Sequence, residues 1–203
     1  MAELNAVALV CTLQPSPEES SSDLIASQIL ARLSANGVGG ESIRLVDHDI
    51  RPGVSVDEGD GDQWPIIRDE ILASEILLVA TPTWLGHMSS IAQRALERLD
   101  AELAHTDNAG RPVMTGKVAI AAVVGNEDGA HKIVADLFQG LNDIGFTIPA
   151  QGCAYWNDQA MGSTDYLDLP EQPESVARTI DTLARNTAHL ARLLTGQNYP
   201  GTE

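Results

Sequence analysis

The sequence predicts an α/β fold, a doubly wound five-stranded parallel sheet with helices on both faces. Three observations predict it. Short aliphatic runs alternate with amphipathic stretches along the whole chain. Two of these runs, 76–80 and 118–124, are almost purely apolar, as in parallel strands covered on both faces. The loops that leave the strands and enter the helices are rich in Gly, Ser, Thr and Pro.

Taken in order, residues 6–11 read as the first strand and 22–36 as a helix, with Leu24, Ile25, Ile29, Leu30 and Leu33 at helical spacing. Gly37, Gly39 and Gly40 are read as its stop. Residues 42–46 form a second, more polar strand suited to a sheet edge. An acidic, Gly-containing loop at 57–62 precedes a short helix at 66–73 and the aliphatic third strand at 76–80. A helix at 89–103, the fourth strand at 118–124 and a helix at 130–144 follow, the last with Ile133, Val134, Leu137 and Leu141 on one face. Residues 146–154 are the fifth strand, interrupted by Pro149 and Gly152, and 175–194 the closing helix. One domain over 1–195 and a frayed tail over 196–203 are expected. The connection at 155–173 is long, and long ordered loops are often functional.

The chain of 203 residues carries 12 basic and 29 acidic side chains, a formal charge of -17. Nucleic acid and anionic membrane surfaces are therefore disfavoured as partners, because phosphate arrays need clustered Lys and Arg. A single phosphate is still allowed, since the free N–H groups of a helix N-terminus hold one without net positive charge. Cys11 and Cys153 are too few for a disulfide framework or a four-ligand metal site, so no metal is expected. Residues 1–5 lack the basic start of a secretory signal, and no apolar run nears the roughly 20 residues that span a bilayer. A cytoplasmic protein is the expectation.

In a doubly wound sheet, ligands bind beyond the carboxyl ends of the strands, where strand order reverses. That rule selects three loops. The first, after strand one, holds Thr12, Gln14, Ser16, Ser20, Ser21 and Ser22, and ends where a helix begins. Its hydroxyls and the helix N–H groups can cradle a phosphate, or a serine can simply cap the helix. Glu18 and Glu19 oppose the first reading if they point inward. The loop is neither a Walker sequence nor a GxGxxG fingerprint. The second loop contains Pro82, Thr83, Trp84, Leu85 and Gly86. Its Trp can wall a flat aromatic ligand, Gly86 allows close backbone approach, and the alternative is a Trp packed under a neighbouring loop. His87 reads as a solvated loop residue rather than a catalyst. The third loop, with Gly125, Asn126 and Gly129, suits a ligand's far edge or a plain polar turn; its Glu127 and Asp128 lack His or Cys partners for a metal.

Together these loops resemble the flavodoxin-like superfamily, in its NAD(P)H-dependent FMN reductase and quinone reductase branch. The segment from Ala80 through Thr81, Pro82, Thr83, Trp84, Leu85, Gly86, His87 and Met88 to Ser89 carries most of the resemblance. The stretch from Gly116, Lys117 and Val118 to Gly125 and Gly129 adds to it. The resemblance covers about residues 6–156 and implies strand order 2-1-3-4-5. It implies that Thr12, Gln14, Ser21 and Ser22 surround the phosphate of FMN. Pro82, Thr83, Trp84, Leu85 and Gly86 would then line the ring and ribityl chain, with Gly125, Asn126 and Gly129 bordering the far side. Tyr155 and Trp156 either cover the flavin or pack beneath the late loop. Two departures stand out: the family often has a basic residue near Gln14, absent here, and small residues where Glu127 and Asp128 stand.

The implied activity is transfer of electrons from NADH or NADPH through bound FMN to a small-molecule acceptor such as a quinone or flavin. No catalytic side chain is needed beyond the cofactor site. A homodimer or homotetramer is implied. Two rival readings are a flavodoxin without nicotinamide activity and an interaction module that has lost FMN. A hydrolase is disfavoured, because no strand-end nucleophile motif such as GxSxG is present.

Overall fold

In the computed structural model, which describes residues 4–158 and 160–201, strands and helices alternate as expected. They are β1 Leu4–Val10, α1 Ser21–Ala35, β2 Val38–Arg44, α2 Trp64–Ala73, β3 Ile76–Trp84, β4 His87–Met88, α3 Ser90–Leu99, β5 Val118–Val124, α4 Ala130–Asp143, β6 Cys153–Trp156 and α5 Glu174–Gly196. Residues 1–3, with the start of the proposed domain, and 202–203 at the end of the tail lie outside the described residues, as does Gln159.

The parallel strands lie in the order β2-β1-β3-β5-β6, while β4 folds back antiparallel on β3 as a two-residue hairpin arm. Without that arm the order is the expected 2-1-3-4-5, and the fold is flavodoxin-like. Order reverses beside β1 and β3, so their carboxyl ends, Val10 and Ala80 in one register pair, open onto a common crevice.

Each central strand supplies two layers, because successive side chains point to opposite faces. Ala6, Ala8, Val10, Leu78, Ile120 and Ala122 pack with α1 and α5. Val7, Leu9, Leu77, Val79, Ala119 and Ala121 face α2, α3 and α4. Both faces are covered, which is why 76–80 and 118–124 show no polar alternation.

Several boundaries differ from the sequence reading. Strand β2 starts at Val38, not at 42. Only Gly37, at φ +74, follows the helix end; Gly39 and Gly40 are strand residues opposite Asn5 and Ala6. A Cβ on Gly40 would lie 2.6 Å from the Ala6 carbonyl oxygen, so this glycine serves close approach rather than helix termination. Strand β3 runs on to Trp84, and the helix read as 89–103 stops at Leu99, followed by a 3₁₀ turn over Asp100–Ala104. The fifth parallel strand occupies Cys153–Trp156 instead of 146–154. Thr147 makes one isolated bridge to Val118; Pro149 and a left-handed Gln151 (φ +57) then break the pairing. Beyond α5, Arg111 donates to the Tyr199 carbonyl (2.8 Å) and Asn198 to the Thr115 carbonyl (3.3 Å), which tie this part of the tail to the domain.

Ser89 ties the ends of β1 and β3 to the start of α3. Its hydroxyl donates to the Cys11 carbonyl (2.6 Å) and accepts from the Ala92 N–H at the start of α3 (3.1 Å). Its own N–H donates to Thr81 Oγ1 (3.1 Å). Ser89→Ala removes a helix cap and strands a buried carbonyl, so urea denaturation is expected to show a loss of about 2 kcal/mol.

Candidate functional site

A cleft of about 540 Å³ opens at the carboxyl ends of β1, β3 and β5. One wall is the loop from β1 to α1. Thr12 Oγ1 accepts the Gln14 N–H (3.2 Å), which turns the chain. Ser20 caps α1 by accepting the Asp23 N–H (3.4 Å). In a helix the first N–H groups have no intrahelical acceptor, so those of Ser21 and Ser22 remain as donors at the cleft. These donors, with the positive end of the helix dipole, favour an anion.

The cation absent from this loop is supplied to its backbone by β2. Arg44 donates to the Glu18 carbonyl (2.6 Å) and pairs with Asp23 (2.6 Å). It therefore braces the loop and is not among the cleft's lining residues. Asp47 holds the loop's other side through the N–H (2.8 Å) and hydroxyl (2.6 Å) of Ser16, and these bonds keep its carboxyl below the ordinary range. The lining includes the carboxylates of Glu18, Glu19 and Asp165 but no Lys or Arg.

The second wall is the end of β3, with Pro82, Thr83 and Trp84. Trp84 is 54% exposed, so it is a cleft wall and not a core residue. Thr83 is buried, and its hydroxyl has no hydrogen-bond partner among the described residues. Gly125 lies against it: a Cβ there would come within 2.9 Å of Thr83 Cβ. The third wall, Val124, Gly125 and Asn126, follows β5.

A strap from the long late connection closes the remaining side. Asp165, Tyr166 and Leu167 line the cleft. Asn126 donates to Asp165 Oδ1 (3.1 Å), the Leu167 N–H to Ser21 Oγ (3.3 Å), and the Tyr166 hydroxyl to Gln28 Oε1 (2.7 Å). Burial pushes the Tyr166 phenol upward, keeping it a protonated donor.

Of the sequence-predicted residues, Thr12, Gln14, Ser21, Ser22, Pro82, Thr83, Trp84, Gly125 and Asn126 therefore converge on one cleft. Leu85, Gly86 and Gly129 do not line it. They form the rim, where the β3–β4 hairpin meets the third loop: a Cβ on Gly129 would lie 2.7 Å from Gly86 Cα, and the Leu85 N–H donates to Glu127 Oε1 (3.0 Å). Tyr155 and Trp156 also lie off the cleft; Trp156 packs on Tyr166 and Tyr155 on His131. Leu13, Val124 and the strap residues also line the cleft, beyond those the sequence points to. The length of the 155–173 connection was the only signal for the strap.

Cys11 is fully buried and its thiol is pushed far up by desolvation, so it is no nucleophile. His87 contacts the Leu85 carbonyl through Nδ1 (2.7 Å). A second depression of about 330 Å³, with Arg111, Phe146 and Tyr199 in its lining, involves none of the three loops. Among the described residues no three His, Cys, Asp or Glu are grouped to hold a metal ion, and no helix is long and apolar enough to cross a membrane.

Comparison with known proteins places this site in a family. The family model described as NADPH-dependent FMN reductase matches residues 5–160. The chain is 32% identical over 199 residues to the divalent metal cation transporter MntH of Mycobacterium bovis, a match covering 94% of this chain and 29% of that protein. The chain thus spans less than a third of that relative's length. It is 29% identical over 206 residues to 8-demethyl-8-aminoriboflavin-5'-phosphate synthase of Streptomyces davaonensis, covering 97% of this chain and 80% of that one. Among solved structures, RosB with the bound intermediate 8-demethyl-8-formylriboflavin-5'-phosphate superposes with TM-score 0.88 at 29% identity, over 97% of this chain and 82% of that one. The apo form of the NADH:FMN oxidoreductase EmoB superposes with TM-score 0.64 at 16% identity, over 98% and 91%, a likeness of fold. With 5–160 matched, most of the described fold and all three strand-end loops included, the chain belongs to the NADPH-dependent FMN reductase family.

Proposed function

We propose that the cleft binds FMN and that the protein is an oxidoreductase drawing on NADH or NADPH and serving a small-molecule acceptor. The observation that carries this reading is the convergence of nine expected residues from three separate loops on one cleft. The donor set fits the group: free helix N–H groups and serine hydroxyls at one end, an exposed Trp84 and a Gly-floored wall at the other. Ser21 and Ser22 would hold the phosphate and Trp84 would wall the ring, while the strap at 165–167 would limit water access. When bound, the flavin supplies hydride acceptance and electron release; the protein positions and tunes it. Assembly into a homodimer or homotetramer is part of the same proposal, and size-exclusion chromatography with light scattering tests it.

The first test is the visible spectrum of the purified protein after incubation with FMN and desalting. Retained flavin absorption, followed by NAD(P)H oxidation with a quinone or ferricyanide, supports the reading. A protein that stays colourless overturns it in favour of an interaction module; bound flavin without nicotinamide oxidation leaves a flavodoxin.

A second reading has its own support. The Streptomyces relative is by its name a synthase of a flavin phosphate, and a flavin phosphate is the bound intermediate in the RosB structure. In that reading the flavin phosphate is substrate rather than resident cofactor. Mass spectrometry of the flavin recovered after turnover separates the two, since a carrier returns at unchanged mass.

The carboxylates at the phosphate end make a further prediction. Glu18→Gln combined with Glu19→Gln is expected to tighten FMN binding about three- to ten-fold at low ionic strength. The gain should shrink with added salt, which screens the repulsion. Fluorescence quenching titrations at two salt concentrations check it.

A further inference from the structure

We propose that Gln28 is a positioning residue: its side-chain oxygen latches the strap from Asp165 to Gln172 beside the cleft, and so sets how fast a flavin enters and leaves. The proposal rests on the flavin reading above. Gln28 lies on α1 with Ser21, and residues at that spacing share one face of a helix. On this face Ser21 Oγ accepts the Leu167 N–H (3.3 Å). Further along, Gln28 Oε1 accepts both the Tyr166 hydroxyl (2.7 Å) and the Gln172 Nε2–H (2.7 Å). One oxygen thus holds the strap near both of its ends. Gln28 itself is not among the residues that line the cleft.

Apolar packing alone holds the strap weakly. Its 3₁₀ turn, Tyr166–Asp168, is closed locally by a capping box between Asp165 and Asp168. Tyr166 is buried on Trp156, and Leu169 packs half-buried against the core. Asp165, Asp168, Pro170 and Glu171 are exposed. A segment with few buried apolar contacts opens locally at low cost, so its hydrogen bonds decide how often it lifts. Gln28 gives the hydroxyl of the buried Tyr166 its acceptor, and a buried donor deprived of its acceptor is costly.

The strap runs from Asn126, which donates to Asp165 (3.1 Å), across to α1. A ligand seated behind it leaves when the strap lifts. Both Gln28 bonds run from protein to protein, so they oppose lifting whether or not a flavin is bound. Loosening the latch therefore raises the open fraction of both states by one factor. Entry and release accelerate together, and their ratio, the dissociation constant, stays nearly constant. A residue that touched the flavin would instead change release and affinity, with entry little altered.

The experiment is stopped-flow FMN fluorescence on wild type, Gln28→Met and Gln28→Glu, with entry read on mixing and release on dilution. Methionine keeps the length and removes the acceptor, whereas glutamate keeps an acceptor oxygen. Gln28→Met is expected to speed both entry and release about ten-fold and to leave Kd within about three-fold of wild type. Gln28→Glu should stay within about three-fold of wild type in both rates, because the acceptor is kept. If Gln28→Met does not fold, Tyr166→Phe combined with Gln172→Leu removes the two donors instead, and the same paired acceleration is expected. Unchanged rates with a lower urea midpoint mark a purely structural residue and overturn the proposal. Faster release with unaltered entry and weaker binding overturns it as well, and the flavin reading stands in both cases. If wild type does not bind FMN, the flavin reading fails and the proposal falls with it.

Discussion

Arg98→Met is expected to cost about 3–5 kcal/mol of folding stability, the largest loss of any single change considered. Arg98 lies on α3 with its side chain fully buried and pairs with an equally buried Asp62 (2.8 Å). It also donates to the carbonyls of Arg51 (3.0 Å), Ser55 (2.9 Å) and Val56 (3.2 Å), and its guanidinium lies 5.6 Å from the Trp64 ring centroid. One side chain thus organises the acidic 51–62 loop. Methionine fills much of the volume but leaves a buried carboxylate and three carbonyls without their donor. Urea denaturation reads the loss, and protease nicking within 51–62 should accompany it. A variant within about 1 kcal/mol of wild type would show that the loop is held by other contacts.

The same pair sets a pH dependence. Burial alone would raise the Asp62 pKa. The Arg98 guanidinium and the N–H groups of Glu58, Trp64 and Arg51 outweigh it and hold the carboxyl well below the ordinary range. The folded pKa is thus lower than the unfolded value of about 3.9. Its stabilisation is complete above that value and is lost as pH falls towards the folded pKa. Wild type should lose stability below about pH 4, and Asp62→Asn should lack this part of the acid dependence.

Gly129→Val is expected to weaken FMN binding about 10- to 100-fold while the far-UV circular dichroism stays unchanged. Gly129 has φ +130, a conformation that disfavours any side chain. Its Cβ would meet Gly86 Cα at 2.7 Å and Gly86 O at 2.9 Å, backbone atoms that cannot swing aside. The β3–β4 hairpin and the third loop must then separate, moving Trp84 and Asn126, which line the cleft from the ends of the neighbouring strands β3 and β5. Binding must restore the native spacing against a strain of about 1–3 kcal/mol, and each 1.4 kcal/mol is a ten-fold change. Gly196→Ala is the control, because nothing lies within 4 Å of a Cβ there. Equal FMN affinity in Gly129→Val would mean that the rim can open without disturbing the walls.

Strand and helix content was legible because the core is layered in a regular way. Residues 76–80 and 118–124 are buried on both sides, so their hydrophobicity is continuous and unambiguous. Glycine was harder to read, since one residue type serves three purposes here. Gly37 ends a helix, Gly40 lets β2 approach Ala6, and Gly129 lets two loops touch. A linear pattern does not separate these, because each depends on what lies opposite in space. The fifth strand was misplaced for a similar reason: 146–152 is apolar enough to pair, but Pro149 and the left-handed turn at Gln151 deny it a ladder.

Local periodicity determined the layered fold, and the strand-end rule the position of the cleft; the strand order and much of the cleft's lining were legible only through the resemblance to a family. Tertiary structure alone decided which groups close and brace the cleft. Arg44 and Asp47 reach the first loop from the end of β2 and the turn after it. Asp165 reaches Asn126 across 39 residues, and Leu167 reaches Ser21 across 146. Glu127 is spent on the rim, and Thr83 is left without a partner. Hydrogen bonds depend on distance in space and not on distance along the chain, so these assignments carry no periodic trace in the sequence.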